Sequence, residues 1–207
     1  MIKGKFITLE GGEGVGKSTN IDFIRAYLEA HHIPLVMTRE PGGTPLAEKI
    51  RGILIASQTE TISEQTELLL MFAARSQHIN QVILPALSAG KWVLCDRFTD
   101  ATYAYQGGGR RMDIKTIEWL ERIVQGNLKP DLTLLLDAPV NIGMQRAEQR
   151  GTLDRFEQEK LHFFEDVRRA YLLQANLNPE RIKVINANQS LANVQQVIIE
   201  TLQRFML

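Results

Sequence analysis

The sequence predicts an α/β fold: a five-stranded parallel sheet with helices on both faces. Three observations lead there. Five short β-rich runs alternate with longer helical patterns along the 207 residues, the order that builds parallel sheets. Those runs are mostly continuous in their apolar residues rather than alternating, as in strands covered on both faces. Polar, glycine-rich segments follow each of the first three runs, where a parallel sheet places its ligands.

The first run, "KFITLE" (Lys5–Glu10), leads through "GGEGVGKS" into a helical pattern over 17–31. The second, Pro34–Thr38, leads through "REPGGT" into helical patterns over 45–56 and 64–89. The third, Lys91–Asp96, opens "DRFTDATYAYQGGGR" before a helix over 113–126. Asp131–Asp137 is followed by helical patterns over 140–150 and 155–176, and Arg181–Asn186 by one over 190–205. The three glycine-rich segments are therefore expected along one sheet edge.

This length fits one domain spanning 1–207 with a sizeable core. Lys plus Arg and Asp plus Glu each number 24, for a formal net charge of zero. That excludes the bulk basic excess of a non-specific nucleic-acid binder. Cys95 is the single cysteine, so no intrachain disulfide forms, and a reducing compartment fits. "MIKGKFITLE" lacks a signal-peptide apolar stretch, and no run approaches membrane-spanning length. A cytoplasmic protein with no membrane partner is expected.

Residues 9–19 read "LEGGEGVGKST". Gly11, four residues, then Gly16-Lys17-Ser18 match the phosphate-binding G-x-x-x-x-G-K-[ST] pattern, between a predicted strand and a predicted helix. Backbone N–H groups of Gly11, Gly12, Glu13, Gly14, Val15 and Gly16 must face phosphate oxygens there, and side chains would obstruct them. The helix beginning near Lys17 adds its positive end. Lys17 would reach the β- and γ-phosphates, and the Ser18 hydroxyl would help hold magnesium. No Asn-Lys-x-Asp or Asp-x-x-Gly segment occurs, which counts against a GTP-hydrolysing switch.

Arg39 ends the second strand, and Arg51 lies in the following helix. Asp96 ends the third strand, where an acid manages magnesium beside such a loop. Arg97 follows, able to grip a phosphate through paired donors. The structural alternatives are an Arg39 ion pair with Glu40 or Glu48, mutual pairing of Asp96 and Arg97, and a solvated Arg51. Two phosphate-gripping regions at one edge imply two phosphorylated ligands, and hence transfer rather than hydrolysis.

"EGGEGVGKST", "TREPGGTPLAEKIR", "LMFAARSQH", "CDRFTDATYAYQGGGR" and "RGTLDRFE" together resemble the bacterial thymidylate kinase family over essentially the full length. The resemblance implies a P-loop nucleoside-monophosphate kinase fold with a short lid at about 143–157. It also implies magnesium-dependent transfer of the ATP γ-phosphoryl group to dTMP, giving dTDP for dTTP synthesis, by a homodimer. Spacing alone leaves a kinase for another monophosphate open.

Residue roles follow from the same resemblance. Glu13 contacts the acceptor or the magnesium shell, which Ser18 and Asp96 share partly through water. Arg97 bridges the donor and acceptor phosphates, with Arg39 and Arg51 seating the dTMP phosphate. Phe98 stands where the family commonly has tyrosine or histidine. Arg75 donates to the thymine O4; Phe72 stacks on the ring, an assignment that shifts to Met71 if the register moves by one. Thr102, Tyr105 and Gln106 contact base and sugar. Gly14 stands in the loop without an arginine, so the transition-state cation comes from the lid, where Arg146, Arg150 and Arg155 lie; Arg150 is favoured, then Arg155.

Overall fold

Apolar runs without a polar face need cover on both sides, and the order of elements supplies it. The computed structural model describes residues 4–56, 60–149 and 155–207. The strands are β1 (Phe6–Gly11), β2 (Leu35–Arg39), β3 (Trp92–Asp96), β4 (Leu132–Asp137) and β5 (Ile182–Asn186). They form one parallel sheet in the order β2-β3-β1-β4-β5. Each lies within one residue of its predicted bounds.

The helices are α1 (Lys17–Ala30), α2 (Pro45–Ile55), α3 (Glu64–His78), α4 (Leu84–Ser88), α5 (Thr99–Thr102), α6 (Ile114–Gln125), α7 (Val140–Glu148), α8 (Leu161–Leu177) and α9 (Leu191–Met206). Side-chain N-caps from Thr44, Ser63, Asp113 and Ser190 begin α2, α3, α6 and α9, satisfying first-turn amides that have no partner within the helix.

Central β1 is buried throughout, and its side chains alternate between the faces. Ile7 and Leu9 pack with Ile24 and Leu28 of α1 and with Ile198 and Leu202 of α9. Phe6 turns the other way, onto Ile83, Cys95 and Phe98. Thr8 and Glu10 follow Phe6 to that second face. There the Thr8 hydroxyl meets that of Thr133 on β4 at 2.7 Å, and Arg181 holds Asp100 through two hydrogen bonds of 2.6 and 2.8 Å.

Three features depart from the sequence expectation. The pattern over 64–89 is not one α-helix: it loosens into a π-helical segment at Ile79–Ile83 before α4 resumes. Pro85 lies at the start of α4, has no N–H to give and crowds the preceding turn. The segment after Arg97, where the sequence pattern indicates no helix, is α5 continued by a π-helical turn, Tyr103–Gly109. Its glycines serve close packing: a Cβ on Gly108 would lie 2.6 Å from the Ala170 Cβ, and one on Gly109 2.4 Å from the Phe163 ring, both on α8. Finally, α8 starts at Leu161 rather than 155, because Arg155 is tied to the end of α2, where its Nε donates to Leu54 O at 2.7 Å.

Candidate active site

The chain builds β2 and β3 on one side of β1, and then β4 and β5 on the other. The crevice beside β1 is therefore the switch point where such sheets bind ligands. A cavity of about 470 Å³ opens there. The phosphate loop, the end of β3, α2, α3 and the start of the π-helical turn all contribute to its wall.

The loop Gly11–Ser18 joins β1 to α1. Gly14 adopts φ 65°, and a Cβ there would lie 1.8 Å from Gly143 O. A Cβ on Gly143 would in turn lie 2.3 Å from Glu13 O, so loop and α7 meet backbone to backbone. Glu13, Gly14, Gly16, Lys17 and Ser18 line the cavity; Gly11 and Val15 are buried behind them, and Gly12 and Val15 line the loop's other side. Lys17 Nζ folds back over the loop and donates to Gly12 O at 2.5 Å and Gly11 O at 3.1 Å. Burial, then the nearby Arg97 charge, pull the Lys17 ammonium down to about 8. Phosphate oxygens in the loop would supply the missing counter-charge.

Arg97 takes the left-handed backbone conformation, φ 67°, uncommon for a residue with a side chain. Its Nη2 donates to Glu13 Oε1 at 2.7 Å and to the Tyr105 hydroxyl at 3.1 Å. Its Nη1 donates to Gly11 O at 2.9 Å and to the Tyr171 hydroxyl at 3.1 Å. The Tyr105 hydroxyl in turn donates to Glu13 at 2.6 Å. Arg97 therefore pairs with Glu13 rather than with Asp96. Asp96 Oδ1 is buried in the cavity wall with no hydrogen-bond partner among the described residues.

Arg75 is 3% exposed, and its Nε donates to Glu40 Oε2 at 2.7 Å. Its Nη2 donates to Phe98 O at 3.2 Å and to the Thr102 hydroxyl at 3.0 Å. Only Nη1 lacks a partner among the described residues. The guanidinium sits between the rings of Phe72 (4.9 Å) and Phe98 (5.2 Å). Phe98 is fully buried and meets Phe6 edge-on at 4.9 Å, a setting that asks for an apolar ring. Thr102, Tyr105 and Gln106 line the same cavity, as does Arg51, whose Nη1 donates to Pro41 O at 3.1 Å.

Several sequence-predicted residues lie elsewhere. Phe72 is buried with Leu68, Ile117 and Leu120 beneath Arg75, and the cavity-lining side chain on that turn is Met71. Helical geometry turns adjacent residues about 100° apart, so both cannot face the cavity. Arg39 is exposed and engaged by Glu48 at 2.9 Å, outside the lining. Arg155 stacks on Phe156 at 4.3 Å and donates to Glu67 at 2.5 Å, again outside the lining. Arg146 does line the cavity while donating to Ala187 O. Arg150 and positions 151–154 of the expected lid lie outside the described residues.

The thymidylate kinase family profile matches residues 9–198. The chain belongs to the thymidylate kinase family. A thymidylate kinase of Pseudomonas putida strain GB-1 is 58% identical over 197 residues, covering 95% of this chain and 94% of its own. One of Teredinibacter turnerae is 54% identical over 203 residues, covering 98% and 99%. The crystal structure of thymidylate kinase from Ehrlichia chaffeensis superposes with a TM-score of 0.79 at 33% identity, covering 97% and 99%. The sheet is that of the P-loop kinase fold.

In this thymidylate kinase scaffold four residues matter that sequence reasoning did not select. Glu40 orients Arg75, and its Oε1 lies 2.9 Å from His78 Nδ1. Glu67, 1% exposed, accepts from Gln106, Arg110 and Arg155. Glu10 and Tyr171 stand behind Arg97. The available signal was an acid inside or at the end of an apolar run, the reasoning already applied to Asp96; Glu10 and Glu67 share that pattern.

Proposed function

We propose that the chain transfers the γ-phosphoryl group of ATP to dTMP, giving ADP and dTDP, with the two nucleotides meeting end to end above Lys17 and Arg97. One observation carries the reading: a single cavity is bordered by the phosphate loop at one end and by Arg75, whose Nη1 has no partner among the described residues, at the other. Cytosine presents an amine donor where thymine presents an acceptor oxygen, so a buried guanidinium donor selects thymine.

Residues Gly11–Ser18 hold the ATP phosphates, with Lys17 as their cation. Arg51 and Arg97 seat the dTMP phosphate, already ionised near neutral pH, so no general base is needed. Met71 and Phe98 flank the base, and Tyr105 and Gln106 border the sugar side. Arg146 and Arg150 come from the lid, about 143–157 of one kinase domain, and close over the transferring group to exclude water. In-line transfer then needs alignment and charge neutralisation more than covalent help.

Magnesium arriving with ATP would be held by Ser18, Asp96 and Glu13, and when bound it neutralises phosphate charge. Asp96 Oδ1, without a hydrogen-bond partner among the described residues, and the exposed Ser18 at the wall fit that task. Among the described residues no cluster of three His, Cys, Asp or Glu could cage a metal, which suits an ion carried mainly by substrate phosphates and water. A homodimer built on the outer faces of α3 and α6, where Leu69, Trp119 and Ile123 are more than half exposed, fits the same reading. No described helix is long and apolar enough to cross a membrane, and the lone, buried Cys95 suits a reducing cytoplasm.

Incubation with Mg·ATP and a panel of dTMP, dUMP, dCMP, AMP and GMP tests the reaction. dTDP should dominate the products; preference for another monophosphate would overturn the base assignment.

A further inference from the structure

We propose that Glu10, acting through Tyr171, is a positioning residue for Arg97. The inference rests on the reading of Arg97 as the phosphate-bridging cation. One carboxyl group reaches the amide just after Arg97 directly and the Arg97 guanidinium through Tyr171. Glu10 Oε1 accepts from Phe98 N, the amide directly after Arg97, at 2.6 Å. Glu10 Oε2 accepts from the Tyr171 hydroxyl at 2.8 Å, and that hydroxyl accepts from Arg97 Nη1 at 3.1 Å.

The ring closes where it is needed. Arg97 leaves β3 in the left-handed region at φ 67°, a conformation that persists in a residue with a side chain only where the surroundings over-determine it. Pairing of Leu9 with Asp96 across β1 and β3 sets Glu10 beside that turn, on the sheet face packed by α5 and α8. Glu10 is fully buried and Tyr171 2% exposed, and neither lines the nucleotide cavity. The side-chain hydrogen bonds that lead from this pair toward the phosphate loop pass through Arg97. A planar guanidinium forks in fixed directions, and small misplacements cost catalysis steeply. A buried acid in the middle strand is expensive unless its hydrogen bonds are met; here they are met by the two groups that aim Arg97.

Tyr171→Phe keeps the ring and removes only the hydroxyl. We expect its kcat/KM for dTMP to fall about tenfold, as for losing one hydrogen bond to a charged group, with the KM for ATP changed less than about twofold. In an Arg97→Ala background the same substitution should have no further effect on dTMP kinetics. Glu10→Ala should lose at least as much as Tyr171→Phe, and Glu10→Gln, which can still accept from Phe98 N, should recover most of it. Should Glu10→Ala fail to fold, the Tyr171 cycle still decides. Wild-type dTMP kinetics in Tyr171→Phe, or an equal loss with and without Arg97, would overturn the proposal while leaving Arg97 in place. Wild-type kinetics in Arg97→Ala would instead remove the reading on which it rests.

Discussion

Glu40 holds Arg75 from behind. Its Oε2 accepts from Arg75 Nε at 2.7 Å, with both side chains 3% exposed. With Nη2 spent on Phe98 O and Thr102, only Nη1 of the guanidinium has no partner among the described residues. Arg75→Ala should weaken dTMP binding by about 100-fold, because a site built around a donor loses most when it is removed. ATP affinity should change less than about threefold. Separate titrations of the two nucleotides check this; equal losses would remove the base-reading role.

Lys17 gives a test that reads protons as well as rate. Its folded value near 8 lies below the ordinary 10.5 because burial and Arg97 disfavour the charge. Arriving phosphates restore that charge, so ATP binding at pH 8 should take up roughly half a proton. Calorimetry in buffers of different ionisation enthalpy measures it. Lys17→Met should abolish the uptake and lower kcat by about 10³-fold, with the fold intact.

Glu10 predicts how stability changes with pH. Burial, and then the Asp100 charge, push its carboxyl from 4.5 up to about 8, against Arg97 and the hydrogen bonds from Tyr171 and Phe98. Arg181 and Lys17 are the other charges that feel it. The folded state thus holds this proton more tightly than the unfolded chain. The associated stability is full below about pH 4.5 and is lost as pH rises through about 8. Urea midpoints of the wild type should therefore fall relative to Glu10→Gln between pH 5 and pH 8.5. Parallel curves would contradict the raised value.

The arginines proposed for the lid separate by parameter. Arg150→Ala should lower kcat by about 100-fold while the KM for dTMP moves less than about threefold, the pattern of an interaction made only in the transition state. Arg155 is tied to Leu54 O and Glu67, so Arg155→Ala should lower Tm by about 4 °C, as for a loss of about 1–2 kcal/mol. A kcat loss in Arg155→Ala equal to that in Arg150→Ala would reverse these roles.

The sheet and the phosphate loop were readable because their signals are local. Apolar runs define the strands to within a residue, and the loop pattern names its own chemistry. Partner choice is not local. Whether Arg39, at the end of β2, faces a ligand or Glu48 depends on how α2 packs beside it, and whether Phe72 or Met71 faces the cavity depends on the rotation of α3; spacing along the chain resolves neither. Motif reading also favours cations over the buried acids that aim them, which is why Glu40 and Glu67 went unselected. The π-helical turn at Tyr103–Gly109 was hidden because "GGG" signals a bend in most settings, and here it signals contact with α8.

The meeting of Gly14 with Gly143 sets a boundary for anyone exchanging the proposed lid segment between relatives. Each position is blocked by the other segment's carbonyl oxygen rather than by a side chain, so shrinking a neighbour cannot compensate for a change at either. A chimaera that carries a foreign lid should keep its junction after Gly143; moved earlier, the graft would disturb the nucleotide cradle before it altered closure.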